Sequence, residues 1–232
     1  MADIIPFNIG SIATTALIAL PNGQAKAGVV ISFNHNGFDE STRSIMDDLA
    51  REGYATIAPN HYHVMPEGVD LEFRRDYLRD EQFAADFRAA YDWLIHEQKV
   101  DSKKIALMGH CQGGRAGWVG ASANADLWAG VCIWYGGGAF RQSGVLPSPY
   151  DSLSKIQAPI IGFFGNDDKN PSPEDVDKFE ARLKDYGKSF EFHRYDGAGH
   201  AFMNPNHPRY HAKASEDSWA KAMSFLRQKF AL

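Results

Sequence analysis

Short, mostly apolar runs recur along the chain, separated by segments whose apolar residues fall at helical spacing. This alternation restricts the possible folds more than any other feature. Residues 27–33, 54–58, 104–108, 129–135 and 158–164 are each too short for an ordinary helix and carry few polar side chains. A strand reads this way when both of its faces are covered. Ile45, Met46, Leu49 and Ala50 keep helical spacing through residues 41–52, and Phe83, Phe87, Ala90, Tyr91 and Leu94 form the clearest stripe in the sequence. A helix is expected over about 173–186, a strand over 189–195, and a closing helix in which Trp219, Ala222, Met223, Leu226 and Phe230 share a face. Residues 13–20 stop at Pro21-Asn22-Gly23 and read as a further strand. Residues 61–79 show no clear period and read as an excursion over a rim. Strands alternating with helices imply an α/β fold, with a mainly parallel central sheet and helices on both faces.

At 232 residues, with no linker-like stretch, the chain is expected to form a single α/β domain over 1–232. Hydrophobic residues make up 44% and charged residues 23%, as in ordinary globular proteins rather than disordered ones. A net charge of −5 gives no reason to expect nucleic-acid or membrane binding. The first residues lack the basic start and apolar block of a secretory signal, and no apolar run approaches the length of a membrane span. With two cysteines and no such signal, the expected compartment is the reducing cytoplasm, where a thiol persists.

The stretch Gly109-His110-Cys111-Gln112-Gly113-Gly114 lies between a predicted strand and a helix-like segment. Such a strand-elbow-helix arrangement holds a nucleophile at the tip of a tight turn, with glycines where strand and helix backbones crowd together. Cys111 is at the tip, and the backbone N–H of Gln112, at the start of the helix, is placed to receive an oxyanion. Asp168 and His200 also follow predicted strands directly, so all three fall beyond the carboxyl ends of the sheet, where open α/β sheets gather their working residues. Asp167 is an equally good turn aspartate by this reading. Cys132, inside an apolar run, reads as core. His35, His61 and His63 raise a metal site, but no further ligand accompanies them, so no metal is expected and they read as shaping a pocket. His110 reads equally as a pocket residue or a packing one.

Taken together, Gly109 to Gly114, the turn Gly165-Asn166-Asp167-Asp168 and the run Gly197-Ala198-Gly199-His200-Ala201-Phe202-Met203-Asn204 resemble the dienelactone hydrolase family, cysteine-dependent members of the α/β-hydrolase fold. Glu52-Gly53-Tyr54-Ala55 and Ala58-Pro59 add to the likeness, which runs from about Gly28 to Leu232. The resemblance implies Cys111 as nucleophile, His200 as base, and Asp168 rather than Asp167 as the residue orienting it. It also implies the backbone N–H of His35 as the second oxyanion donor. Where dienelactone hydrolase itself carries a glutamate before the oxyanion-loop residue and an arginine four places after the histidine, this chain has Asn34 and Asn204. An anionic substrate would then be met by Arg74, Arg75, Arg115 or Arg141. Asn34, Asn36, His61, His110 and Asn204 complete the candidate substrate contacts. The implied activity is hydrolysis of a small ester or lactone through a Cys-His-Asp triad and a thioester acyl-enzyme, with no cofactor, by a monomer or homodimer. The alternative is a catalytically weak relative that binds an acyl or carboxylate ligand, or a protein partner, on the same scaffold.

Overall fold

The structure, a computed structural model, describes residues 1–232. In chain order its elements are β1 (Asp3–Ile9), β2 (Ile12–Ala19), β3 (Ala27–Ser32), α1 (Glu40–Arg51), β4 (Tyr54–Pro59), α2 (Arg74–Tyr77), α3 (Asp80–His96) and β5 (Ile105–His110). Then follow α4 (Gln112–Ala123), β6 (Gly130–Trp134), β7 (Ile160–Gly165), α5 (Pro173–Asp185), β8 (Phe190–Tyr195) and α6 (Ala212–Phe230). All eight strands form one sheet in the order β1-β2-β4-β3-β5-β6-β7-β8. Every pairing from β4 to β8 is parallel, and the two involving β2 are antiparallel.

The apolar runs are buried on both sides for the reason their sequence suggests. Every residue of β3, β4, β5, β6 and β7 is buried. Alternate side chains of β5 enter different cores: Leu107 packs on the face that holds Phe87 of α3, Trp118 of α4 and Phe179 of α5, while Ala106 and Met108 face Met46 of α1 and Leu226 of α6. No helix is long and apolar enough to cross a membrane.

Two stretches differ from the sequence reading. The apolar pattern does not predict β1, because it is interrupted by Pro6. It is tolerated because β1 is an edge strand paired only with β2, so the missing N–H costs no central ladder bond. Residues 61–79 contain short turns of helix at His61–Val64, Leu71–Phe73 and α2, each too brief to show a period. What matters for the site is the strand order. The chain passes from β3 outward to β4 and then returns to the other side of β3 with β5, opening a crevice above the carboxyl ends of β3 and β5.

Candidate active site

Cys111 occupies the one residue between the end of β5 and the start of α4, with φ 58° and ψ −117°. A non-glycine residue held there stores roughly 1–3 kcal/mol of strain, which the surrounding packing must overcome. The neighbouring glycines show how the turn is tightened. A Cβ on Gly109 would strike the carbonyl of Gly113, and one on Gly113 would strike the carbonyl of Ser32. The first turn of α4 therefore rests directly on β3 and β5, and the Cys111 N–H donates to the Trp134 carbonyl at 3.1 Å.

Three side chains far apart in sequence meet at this tip. His200 Nε2 lies 3.0 Å from Cys111 Sγ, and His200 Nδ1 lies 2.8 Å from Asp168 Oδ2. The other Asp168 oxygen accepts the Asn170 backbone N–H at 2.9 Å, so both carboxylate oxygens are engaged. Asp167 is exposed and instead donates its backbone N–H to Ala198, tying the acid turn to the histidine loop. Burial pushes the Cys111 thiol up. Hydrogen bonds with His200 and His35, the imidazolium charge and the Gln112 backbone outweigh it and bring the group down to about 6. Burial pushes His200 down, but its bonds to Asp168 and Cys111, and their charges, raise it to about 10. The two opposite shifts favour the thiolate–imidazolium form of the pair. Cys132 is fully buried, and burial alone drives its thiol upward.

The two candidate oxyanion donors are tied together by side chains. Arg74 Nε donates to Gln112 Oε1 at 2.8 Å, Gln112 Nε2 donates to the Tyr62 hydroxyl at 3.1 Å, and Tyr62 donates to the His35 carbonyl at 2.8 Å. Tyr62 is raised to about 12, chiefly by burial, so its hydroxyl keeps its proton. Tyr62 lies in the stretch without a period, and its place between His61 and His63 is its only signal in the sequence.

The candidate substrate contacts divide. Arg74, Arg75, Arg115 and Arg141 line one cavity of about 280 Å³ that also contains Cys111, Gln112 and His200. Arg115 is already committed there: it makes a two-pronged pair with Asp80 at 2.5 and 3.0 Å and donates to the Gly138 and Arg141 carbonyls. It stiffens the wall rather than offering a free guanidinium. Asn34, Asn36, His110 and Asn204 line a second, smaller cavity on the other side of the pair. Asn34 and Asn36 both donate to Asp39, and Asn34 and Asn204 each accept a backbone N–H two residues on, so their side chains shape the loops. His110 stacks on Trp134 with centroids 4.5 Å apart.

His61 is not a pocket residue. It has no exposed surface, and its Nδ1 and Nε2 lie 2.7 Å from Asp86 and 3.1 Å from Ser32 Oγ. The spacing is that of a serine-histidine-aspartate chain, but all three side chains are wholly buried among Phe33, Phe83 and Phe87. His63 meets the other Asp86 oxygen at 3.0 Å. The histidines serve to hold a buried carboxylate, which needs such partners to be tolerated there.

Comparison with known proteins agrees with this architecture. The model of the dienelactone hydrolase family matches residues 14–230. A relative from Escherichia coli strain K12, named "Putative carboxymethylenebutenolidase", is 32% identical over 200 residues, covering 83% of this chain and 73% of its own. A protein of the same name from Methylorubrum extorquens is 28% identical, with 83% and 68% covered. The crystal structure titled "Putative Dienelactone Hydrolase" from Klebsiella pneumoniae superimposes with a TM-score of 0.90 at 25% identity, covering 98% of each chain. The chain belongs to the dienelactone hydrolase family and is a hydrolase of that family.

Proposed function

We propose that the protein hydrolyses carboxylic esters or lactones through Cys111, His200 and Asp168. The observation that carries this reading is the Sγ to Nε2 distance of 3.0 Å at the mouth of a cavity, with Asp168 holding the far side of the ring. The Cys111 thiolate attacks the substrate carbonyl carbon, and the carbonyl π pair moves onto oxygen. That oxyanion is received by the backbone N–H groups of Gln112 and His35, neither of which donates to another backbone carbonyl. Collapse breaks the carbon–oxygen bond to the alcohol, which takes the proton of His200 Nε2. The acyl group remains as a thioester. His200, now neutral, removes a proton from water as it adds to the thioester, and the second collapse releases the acid and restores thiolate and imidazolium. Asp168 keeps the Nδ1 proton facing itself, which leaves Nε2 free for both transfers.

The arginines favour an acidic substrate. Arg74, Arg75 and Arg141 face the larger cavity, and no carboxylate lines it. Thiolate leaves a tetrahedral intermediate more readily than an amine does, which favours esters and lactones over amides. A panel of aryl esters, thioesters and lactones, assayed with the native protein and with Cys111→Ala, tests the reading. Activity in the native protein that falls by about 10³-fold or more in the variant is expected, on the scale of losing a nucleophile. Hydrolysis unchanged by the substitution removes Cys111 from the mechanism.

A further inference from the structure

Two cavities meet at the reacting pair, and their walls differ in kind. Cys111, His35 and His200 line both. The outer cavity, about 280 Å³, is bounded by Arg74, Arg75 and Arg141, the last two exposed. The inner one, about 80 Å³, is walled on one side by Ile31, Phe33, Thr42 and Tyr135 and on the other by the polar loop residues Asn34, Asn36 and Asn204, with Ile45 also in its lining, and no lysine, arginine, aspartate or glutamate reaches it. Ile31, Phe33, Thr42 and Tyr135 are each at most 3% exposed, so that side of the cavity belongs to the core. His110 also lines it. That ring carries an Nε2 without a hydrogen-bond partner and is kept neutral by burial, at about 3. A cavity of this size, without lysine, arginine or carboxylate in its wall, suits a short uncharged acyl chain.

An ester carbonyl attacked by Cys111, with its oxygen on the Gln112 and His35 N–H groups, has two remaining substituents that must diverge. One enters each cavity. The alcohol has to depart while the acyl group is still bonded to sulfur, and water then enters from the vacated side. The wider cavity, bordered by exposed guanidiniums, provides that exit more readily than the narrower one backed by the core. We propose that the inner cavity is the acyl subsite and the outer one the leaving-group subsite, so that the substrate is a short, uncharged acyl ester of a negatively charged alcohol. This assignment rests on Cys111 as nucleophile and adds the direction in which the substrate lies.

Two aryl esters of opposite polarity test it: 4-(butanoyloxy)benzoate, whose charge is on the alcohol, and the monophenyl ester of adipic acid, whose charge is on the acyl group. With each kcat/KM divided by the compound's own rate with hydroxide, at least a tenfold preference for the first is expected. Within the 4-hydroxybenzoate series, butanoyl should exceed octanoyl at least tenfold. Ile45→Ala, which enlarges the inner cavity, should narrow that ratio by fivefold or more, and Ile45→Trp should penalise butanoyl relative to ethanoyl. Preference for the adipate ester, or acyl-length dependence that neither Ile45 variant alters, overturns the assignment. The orientation is read independently of the nucleophile, since activity surviving in Cys111→Ala would remove the thioester but leave the polarity ratio measurable. Should neither ester be cleaved, 4-(butanoylamino)benzoate should protect Cys111 from iodoacetamide, with protection weakened at least fivefold by Ile45→Trp. Protection that is absent or indifferent to that change overturns the proposal as well.

Discussion

Cys111 depends on partners that the sequence separates by 57 and 89 positions, and its chemistry is set by which of them touch it. The imidazolium of His200 and the start of α4 stabilise the thiolate against the cost of burial, giving an ionisation at about 6. Alkylation by iodoacetamide should therefore rise as pH is raised through about 6, and be nearly complete in its rise by pH 7. At neutral pH Cys132, whose thiol is displaced upward, should react far more slowly. Asp168→Asn, which removes the charge behind the imidazolium, should move the Cys111 midpoint upward; a midpoint unchanged in that variant would contradict the ion pair. Tyr62 makes a different contribution. Tyr62→Phe breaks the chain between Gln112 and His35 without touching sulfur or imidazole. A kcat loss of about tenfold is expected, smaller than for deletion of an oxyanion donor itself, with the iodoacetamide rate unchanged. Equal loss in both measurements would mean that the substitution disturbs the whole turn. Cys111 and Asp168 are legible because each follows a short apolar run, and His200 because a glycine-rich turn leads to it from a mixed strand. Tyr62 is not, because its two partners, His35 and Gln112, come from a separate loop and a helix start.

Elements were legible in proportion to how much their burial imposed a pattern. β3 to β7 are buried on both faces and read as apolar runs, and α3 packs a wide stripe against the sheet. β1 is covered on fewer sides and could carry Pro6, which hid it. The connection between β4 and α3 is held by polar contacts rather than an apolar stripe. Asp86 on α3 takes His61 and His63 from that connection, and His61 reaches Ser32 at the end of β3. The same network explains why His61, which reads from the sequence as a pocket residue, lies in the core. Burial pushes the Asp86 carboxyl up, but its bonds to the two histidines outweigh this and hold it below the usual carboxylate range. Its contribution to stability is therefore present above about pH 4 and lost as pH falls through the lowered folded value. Asp86→Asn removes the buried carboxylate that both histidines bond and should destabilise the fold by about 3 kcal/mol at pH 7, with the difference from the native protein shrinking in acid. Denaturant midpoints at pH 7 and pH 3 measure this; equal midpoints at pH 7 would contradict the role given to Asp86.

At the scale of the molecule, a net charge of −5 coexists with a cavity whose charged walls are arginine. These arginines are opposite in sign to the overall charge, so on the proposed reading an anionic ester is attracted at short range. Raising ionic strength from about 0.02 M to 0.5 M should raise KM severalfold for an anionic aryl ester and leave that of a neutral one nearly unchanged, because screening shortens the reach of exposed charges. Arg141→Gln should reproduce the effect at low salt. The sheet order brings β3, β5, β7 and β8 to one rim, and the reacting groups project from the turns that follow β5, β7 and β8. That convergence matters only if sulfur becomes acylated. The most direct measurement is the intact mass of the protein, quenched in acid within milliseconds of mixing with an activated ester. The expected result is a gain equal to the acyl group, mapped by peptide digestion to Cys111, absent from Cys111→Ala and lost as turnover ends. Rapid hydrolysis with no adduct on Cys111, or an adduct on another residue, would contradict the account.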